Sequence, residues 1–363
     1  MTAVLFIAGL ALLVLGAESL VRGASKLASS LGVPPLVVGL TVVAYGTSTP
    51  ELAVSLQAAL AGQADIALGN VVGSNIFNVL FIQGLSAMIV PLVVSRQLVW
   101  MDVPLMVGIS VIMLLMALDG RISRVEGGVL VSGIVAYTAL LVRRSRQDKA
   151  AAREAAAGDG GIAAPAPARS ARTWIVNLVY ISAGLGLLVL GARWFVESSM
   201  TIARMMGVSE LVIGLTIVAA GTSMPEVATS IIASIRGERD IAVGNVVGSN
   251  VYNILAVLGL AALVSPGGVT VAPAALDFDI PVMVAAAVAC LPIFFTGHLI
   301  ARWEGWLFFG YYVAYTAFLV LASQQHDALS AFSRVMEVFV VPLTAVTLIV
   351  LAVRARRQHR PGA

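Results

Sequence analysis

GLTVVAYGTSTPELAVSLQAALAGQADIALGNVVGSNIFNVL, residues 39–80, decides the fold because the chain contains this stretch twice. Residues 214–255 read GLTIVAAGTSMPEVATSIIASIRGERDIAVGNVVGSNVYNIL and are identical to it at 26 of 42 positions without a gap. A repeat of this length predicts two copies of one structural unit, offset by 175 residues. Each copy has two polar motifs, GTSTPE or GTSMPE followed by GNVVGSN, inside otherwise apolar sequence.

The composition places both copies in a lipid bilayer. Of the 363 residues, 59% are hydrophobic and only 11% are charged, which leaves almost nothing for a domain outside the membrane. A helix needs about 20 mainly apolar residues to cross the hydrocarbon core. Eleven stretches meet this length: 3–21, 35–60, 66–91, 101–119, 126–142, 174–197, 209–235, 241–265, 277–297, 302–322 and 336–353.

Cysteine and histidine usage excludes several classes of function. The single cysteine, Cys290, cannot form an intramolecular disulfide or a thiolate cluster. The three histidines fall near predicted span ends, and the chain has no HExxH motif. The sequence therefore predicts neither an intramembrane enzyme nor a bound cofactor, and no nucleic-acid partner.

Lysine and arginine predict the orientation, because cytoplasmic segments are enriched in both. With the N-terminus outside, 17 of the 22 basic residues fall on inside segments and 5 on outside segments. We therefore expect a multi-pass protein of the plasma (inner) membrane with an extracytoplasmic N-terminus and a cytoplasmic C-terminus.

An odd number of spans in each copy predicts the architecture. Five spans precede the polar segment 144–172, so the second copy must enter the membrane from the opposite side. Inverted repeats of this kind build many secondary transporters, with the substrate site where the repeats meet. We predict an all-α integral membrane fold whose ten-helix core consists of two inverted five-helix repeats, plus an additional C-terminal transmembrane helix. The predicted segments are a first repeat at 1–143, a flexible cytoplasmic linker at 144–172, a second repeat at 173–322, and the extra helix with a basic tail at 323–363.

The first motif interrupts a span in each copy. Proline removes a backbone donor, so carbonyls near Ala44 and Ala219 are expected to lack a hydrogen-bond donor from the helix. A bound cation could take the place of that missing donor. A helical continuation would place three oxygen-bearing side chains on one side of each broken helix. These are Thr47, Ser48 and Glu51 in the first copy, and Thr222, Ser223 and Glu226 in the second.

The second motif adds polar groups on the next span. Ser74 and Asn78 are spaced i, i+4, as are Ser249 and Asn253, so each pair offers two oxygens on one helical face. The motif glycines are expected to let neighbouring helices approach closely. They are Gly69, Gly73, Gly244 and Gly248.

Two carboxylates at membrane depth point to a transported cation. An ionised Glu51 or Glu226 in a membrane costs several kcal/mol unless it is neutralised, and no Lys or Arg lies in the middle of these spans. Calcium takes roughly six to eight oxygen ligands in irregular geometry, which this set supplies. Protonated or Arg-paired glutamates remain an alternative, as does a passive cation channel, although channels usually build rings of charge around an axis.

At these motifs the sequence resembles the sodium/calcium exchanger family of the cation/calcium antiporter superfamily, over residues 1–322. The resemblance implies that the second and third helices of each repeat form the ion sites and that helices one and six form a sliding gate. It also implies the metal ligands, which are Thr47, Ser48, Glu51, Ser74, Asn78, Thr222, Ser223, Glu226, Ser249 and Asn253, with the carbonyl groups of Ala44 and Ala219.

The same resemblance implies a function. The chain would exchange Ca²⁺ for Na⁺ by alternating access and extrude Ca²⁺, with Ca²⁺ and Na⁺ as its substrates and the lipid bilayer as its surroundings. A monomer is the default expectation, because the predicted site is contained in one chain. Potassium-dependent relatives have Asp where this chain has Asn253, which implies independence of potassium. Calcium/proton relatives have GNxxE where this chain has GNVVGSN, which favours sodium. Exchange of Ca²⁺ or another divalent cation for protons is the alternative.

Overall fold

The computed structural model describes residues 1–158, 171–295, 297–326, 328–347 and 349, and these are almost entirely helical. The first half contains α1 (Thr2–Leu31), α2a (Pro35–Thr47), α2b (Thr49–Leu60), α3 (Ala64–Ile89), α4 (Leu98–Ala117) and α5 (Arg124–Gly158). The second half contains α6 (Ala171–Met205), α7a (210–221), α7b (Met224–Ile235), α8 (Arg239–Val264), α9 (Ala275–Phe295), α10 (Arg302–Ser323) and α11 (Ala328–Thr347).

The helix lengths and compositions agree with a membrane protein. Within the described residues, nine helices and the bent pair α2a–α2b are long and apolar enough to cross a bilayer. The shorter apolar helix α7b completes the corresponding broken span of the second half. The predicted all-α membrane fold is therefore confirmed.

The second span of each half is broken where the motif predicts. Pro50 lies at the start of α2b, Ser48 before it has non-helical dihedral angles (φ −82°, ψ 12°), and the two segments meet at 45°. Ser223 has nearly the same angles (φ −87°, ψ 8°) before Pro225. Proline suits the first helical turn, where its missing N–H needs no partner, so each motif starts a new helix.

Two short antiparallel strand pairs show how the halves are related. β1 (Leu92–Val93), after α3, pairs with β4 (Leu299–Ile300), after α9. β2 (Arg121–Ile122), after α4, pairs with β3 (Val269–Thr270), after α8. Repeats in the same orientation would put the loops after the third and ninth helices on opposite sides of the membrane. Their pairing therefore requires inverted repeats, as the odd span count predicts.

The first helices of the two repeats pack against each other through glycine. A Cβ on Gly16 of α1 would lie 2.8 Å from the backbone nitrogen of Leu188, and one on Gly191 of α6 would lie 2.8 Å from that of Leu13. These distances are too short for a real side chain, so the backbones of α1 and α6 touch directly.

Two predicted segments differ in detail from the described structure. α5 continues to Gly158 and α6 begins at Ala171, so the predicted linker at 144–172 is helical at both ends, and 159–170 lie outside the described residues. The additional C-terminal helix, predicted at 336–353, begins earlier as α11, and 348 and 350–363 are likewise outside the described residues. The linker's flexibility and the role of α11 stay predictions.

Candidate ion-binding site

Two glutamates form the centre of the site, and each contacts the other repeat. Glu51 and Glu226 lie in the first turns of α2b and α7b and are each 1% exposed. The Ser48 hydroxyl donates to Glu226 Oε1 at 2.8 Å, and the Ser223 hydroxyl donates to Glu51 Oε1 at 2.9 Å. The positive end of a helix dipole favours a carboxylate in the first turn. The two breaks thus place both carboxylates at helix N-termini, facing each other's repeat.

Each glutamate also has an oxygen that the protein leaves without a partner. Oε2 of Glu51 and Oε2 of Glu226 are buried and accept no hydrogen bond from the described residues. Within the same residues, no Lys or Arg forms an ion pair with either glutamate. Because an unpaired buried carboxylate is costly, these two oxygens fit a bound cation.

Asparagine side chains bond across the repeats on the next pair of helices. Asn78 Nδ2 donates to Asn250 Oδ1 at 3.0 Å, and Asn253 Nδ2 donates to Asn75 Oδ1 at 3.1 Å. The Oδ1 atoms of Asn78 and Asn253 are themselves buried without a donor in the described structure, as is the hydroxyl of Ser249. The site therefore offers neutral oxygens beside its two carboxylates.

The motif threonines and serines complete this polar centre. Thr47 Oγ1 donates to Asn245 Oδ1 at 3.1 Å, and Thr222 Oγ1 lies 3.4 Å from Asn70 Oδ1. Ser74 Oγ lies 3.3 Å from Ser223 Oγ. Of the ten side chains in the predicted ligand set, nine are buried and Thr222 is half-buried. Hydrogen bonds and close contacts connect seven of them, directly or through Asn70 and Asn245, to the two glutamates: Thr47, Ser48, Glu51, Ser74, Thr222, Ser223 and Glu226. Their assignment as metal ligands stays a prediction.

Four supporting asparagines were absent from the predicted set. Asn70 Nδ2 donates to the Glu51 carbonyl at 3.1 Å and to Ser55 Oγ at 2.9 Å, and Asn245 Nδ2 donates to Ser230 Oγ at 3.0 Å. The other two are Asn75 and Asn250, described above. All four lie at identical positions of the two GNVVGSN copies, so duplication of a polar residue was the available signal.

The expectation of unpaired carbonyl groups is wrong at Ala44. Its carbonyl accepts from the Ser48 backbone N–H at 3.0 Å and lies 3.3 Å from Thr47 Oγ1. The reason is positional: Pro50 removes the donor for residue 46, four positions earlier, and leaves the bond to Ala44 intact. Ala44 is buried and Ala219 is exposed, so the two predicted carbonyl ligands also differ in access.

The two repeats pack differently beside the site. A Cβ on Gly248 of α8 would lie 2.7 Å from the Leu40 carbonyl of α2a, whereas one on Gly73 of α3 would meet no heavy atom of the described residues within 4 Å. Close packing is therefore confirmed for Gly244 and Gly248, and among the described residues it is wrong for Gly69 and Gly73. The physical reason is that α7a lies less closely on α3 than α2a lies on α8. Beside the site, the contact between α2a and α8 is therefore closely packed, and the corresponding contact between α7a and α3 is not.

The donor set is that of a hard cation site. The described residues contain no group of three or more His, Cys, Asp or Glu side chains that could hold a metal ion. Two carboxylates with hydroxyl and amide oxygens suit calcium, which prefers oxygen ligands and tolerates irregular geometry. A buried oxygen site between inverted repeats, formed at broken helices, defines a secondary transporter.

Comparison with known proteins gives the family. The model of the sodium/calcium exchanger protein family matches residues 1–143 and 176–321, and the chain belongs to this family. The inner membrane protein YrbG of Escherichia coli is 38% identical over 289 residues, covering 79% of this chain and 87% of the relative. The sodium/calcium exchanger MaX1 of Methanosarcina acetivorans is 33% identical over 338 residues, covering 86% and 96%.

A solved structure extends the likeness to three dimensions. The sodium-calcium exchanger NCX_Mj superposes with a TM-score of 0.73 at 28% identity, covering 86% of this chain and 96% of that one. The resemblance read from the two motifs is confirmed. The protein is a multi-pass membrane antiporter of the cation/calcium type, from a family of transporters and not of catalytic enzymes.

Proposed function

We propose that the protein exchanges Ca²⁺ for Na⁺ by alternating access and extrudes Ca²⁺ from the cell. The observation that carries this proposal is the pair of unpartnered carboxylate oxygens, Glu51 Oε2 and Glu226 Oε2, at one buried centre. Two negative charges balance one Ca²⁺, and the same oxygens can hold Na⁺ ions instead.

Exchange requires that the protein not switch the side to which its site is open while that site is empty. Without a cation, two uncompensated carboxylates would remain buried, which costs several kcal/mol for each ion. Either Ca²⁺ or Na⁺ removes this cost, so occupied states change conformation more readily than the empty one. Ca²⁺ movement is thereby coupled to opposite Na⁺ movement.

The unequal packing of the repeats supports alternating access. α2a lies against Gly248 of α8, while the corresponding surface of α3 at Gly73 is open as far as the described residues extend. The predicted orientation places the protein in the inner membrane with its N-terminus outside and its C-terminus in the cytoplasm. In that orientation the open side is extracytoplasmic. Exchanging the two packings between the repeats would open the other side.

Sodium and not potassium or protons is the proposed driving ion. Asn253 donates to Asn75, a bond that the Asp of potassium-dependent relatives would lack. The resemblance implies three Na⁺ per Ca²⁺, which moves one net charge and adds about 2.3 kcal/mol per 100 mV of membrane potential.

No resident cofactor is proposed, and the site is contained in one chain, which supports a monomer as the transport unit.

Purified protein in proteoliposomes tests the proposal. We expect an outward Na⁺ gradient to drive ⁴⁵Ca²⁺ uptake, unchanged when choline replaces K⁺, and an outward proton gradient alone to drive none. Uptake that follows the proton gradient and ignores sodium would instead establish the Ca²⁺/H⁺ alternative. A valinomycin-clamped potential measures whether net charge moves. Accessibility of single-cysteine variants at each terminus tests the orientation.

A further inference from the structure

The asparagines at the site form two relays that cross from one repeat to the other. In one, Asn253 Nδ2 donates to Asn75 Oδ1 at 3.1 Å; in the other, Asn78 Nδ2 donates to Asn250 Oδ1 at 3.0 Å. All four side chains are at most 2% exposed. In each relay, the donor is the residue that belongs to the predicted ligand set, and its Oδ1 has no donor in the described structure.

A primary amide presents opposite chemistry at its two ends. Its oxygen accepts hydrogen bonds and can coordinate a cation, while its NH₂ group only donates. A half-turn of Asn253 would direct NH₂ toward the ions and place its Oδ1 against Asn75 Oδ1, two acceptors with no hydrogen between them. The partner amide therefore decides which end of Asn253 the ion meets.

The partner amides have fixed directions of their own. Asn75 Nδ2 donates to the Asn250 backbone carbonyl at 3.3 Å and lies 3.7 Å from Met283 Sδ of α9. Asn250 Nδ2 lies 3.5 Å from Met106 Sδ of α4. A backbone carbonyl oxygen can only accept hydrogen bonds, so the Asn75 amide cannot turn over without losing this bond. Asn75 is thus more firmly held than Asn250, whose sulfur partner is a weak acceptor.

We propose that Asn75 and Asn250 are positioning residues, each of which turns the amide oxygen of the other repeat's ligand toward the ion. This inference rests on the proposed function, because it takes Asn253 and Asn78 as ligands of the transported ions. Partners behind a ligand commonly change metal affinity by 10- to 100-fold, although they never touch the metal. The relay also favours an amide at 253, since a carboxylate there has no hydrogen for Asn75.

A double-mutant cycle on ion binding tests the relay, with a control that the chain supplies. Equilibrium binding of ⁴⁵Ca²⁺ and ²²Na⁺ to purified full-length protein is measured separately for each variant. We expect Asn75→Ala to weaken Ca²⁺ binding about 10-fold in the wild-type background. In the Asn253→Ala background, where the ligand is already gone, it should weaken binding by less than about 2-fold. The Asn78→Ala background is the matched control, and in it Asn75→Ala should still weaken Ca²⁺ binding about 10-fold.

The second relay repeats the test independently. Asn250→Ala should lose its effect in the Asn78→Ala background and keep it in the Asn253→Ala background. If Asn75→Ala does not elute as monodisperse protein, this second arm decides. Equal factors in both backgrounds would overturn the proposal, because a residue that acts only through packing affects the site regardless of which ligand is present.

Failure of the relay and failure of the proposed function give different results. A wild-type protein that binds Ca²⁺ but exchanges it for protons leaves the relay intact and overturns only the choice of sodium. A wild-type protein that binds neither ion overturns the site and the relay together.

Discussion

The Ser48 hydroxyl lies 2.8 Å from Glu226 Oε1, so a serine of the first repeat donates to the carboxylate of the second. The reciprocal bond, from Ser223 to Glu51, measures 2.9 Å. Neither repeat therefore possesses a complete half-site of its own. A movement that separates the repeats must change the surroundings of both carboxylates at once.

Removing either cross-repeat hydroxyl should weaken ion binding. A hydrogen bond to a charged group contributes about 1.5–3 kcal/mol, so Ser48→Ala and Ser223→Ala should each raise the KM for Ca²⁺ by about 10- to 100-fold. The measurement is the Ca²⁺ dependence of Na⁺-driven ⁴⁵Ca²⁺ uptake. Thr49→Ala is the control, since the exposed Thr49 bonds only to the Tyr45 carbonyl of α2a, within its own repeat, among the described contacts. An effect at Ser223 with none at Ser48 would contradict the reciprocal arrangement.

Neutralising either central carboxylate should abolish exchange. Glu51→Gln or Glu226→Gln keeps the size of the side chain but leaves one negative charge for Ca²⁺, so we expect uptake to fall by at least about 100-fold, the consequence of roughly 3 kcal/mol. Asp65→Asn is the matched control, because Asp65 is an exposed acidic residue at the start of α3. Normal uptake by Glu226→Gln protein would show that the site lies elsewhere.

The matched glycines Gly248 and Gly73 should respond oppositely to alanine. A methyl at Gly248 would lie 2.7 Å from the Leu40 carbonyl and should destabilise this conformation by about 1–3 kcal/mol through overpacking. A methyl at Gly73 meets no heavy atom of the described part of the chain within 4 Å and should leave the melting temperature unchanged or higher. Thermal unfolding of the purified variants measures the difference.

Both glycine variants should nevertheless slow exchange. In the alternative conformation the packing of the repeats is interchanged, so a methyl at 73 would then be the obstructive one. Full turnover by Gly73→Ala protein would argue against a conformation in which α7a closes onto α3.

An ion pair near the predicted cytoplasmic end of α1 should restrain that end. Arg236, after α7b, binds Glu18 of α1 through two guanidinium contacts, one of them 2.8 Å from Nε to Oε2, and Ser25 donates to Glu238 at 2.6 Å. The matching residues of the first repeat, Ala61 and Gln63, carry no charge. The restraint is therefore specific to one side of the protein.

Arg236→Gln should accelerate amide hydrogen exchange over residues 18–31. An exposed ion pair contributes up to about 1 kcal/mol, so we expect an increase of about 2- to 5-fold that shrinks at high salt. Arg193→Gln is the control, because Arg193 pairs at 2.8 Å with Glu197 of its own helix. Equal exchange in the two variants would mean that the Glu18–Arg236 pair does not hold α1.

Much of the fold could be predicted because membrane spans and repeats are written along the chain. The apolar runs located the spans, and their odd number per copy gave the inversion that the pairing of β1 with β4 confirms. Helix ends were less accurate: α1 continues to Leu31, beyond the apolar run ending at residue 21. An apolar run measures the hydrocarbon thickness and not the length of the helix.

The sequence by itself determined the membrane fold, the inverted repeats and the types of side chain at the site, because apolar length and duplication are one-dimensional properties. Only the tertiary structure decided that Ser48 donates a hydrogen bond to Glu226 and that Asn75 accepts one from Asn253. It also decided that Gly248 is closely packed while Gly73 meets no neighbouring helix among the residues described. Hydrogen-bond partners depend on distances between segments far apart in the chain, which a repeat does not encode. The unequal packing of nearly identical motifs has a further cause. One sequence can populate two conformations, and in the conformation described here the GNVVGSN motif of the first half, and not that of the second, is left open by the described residues.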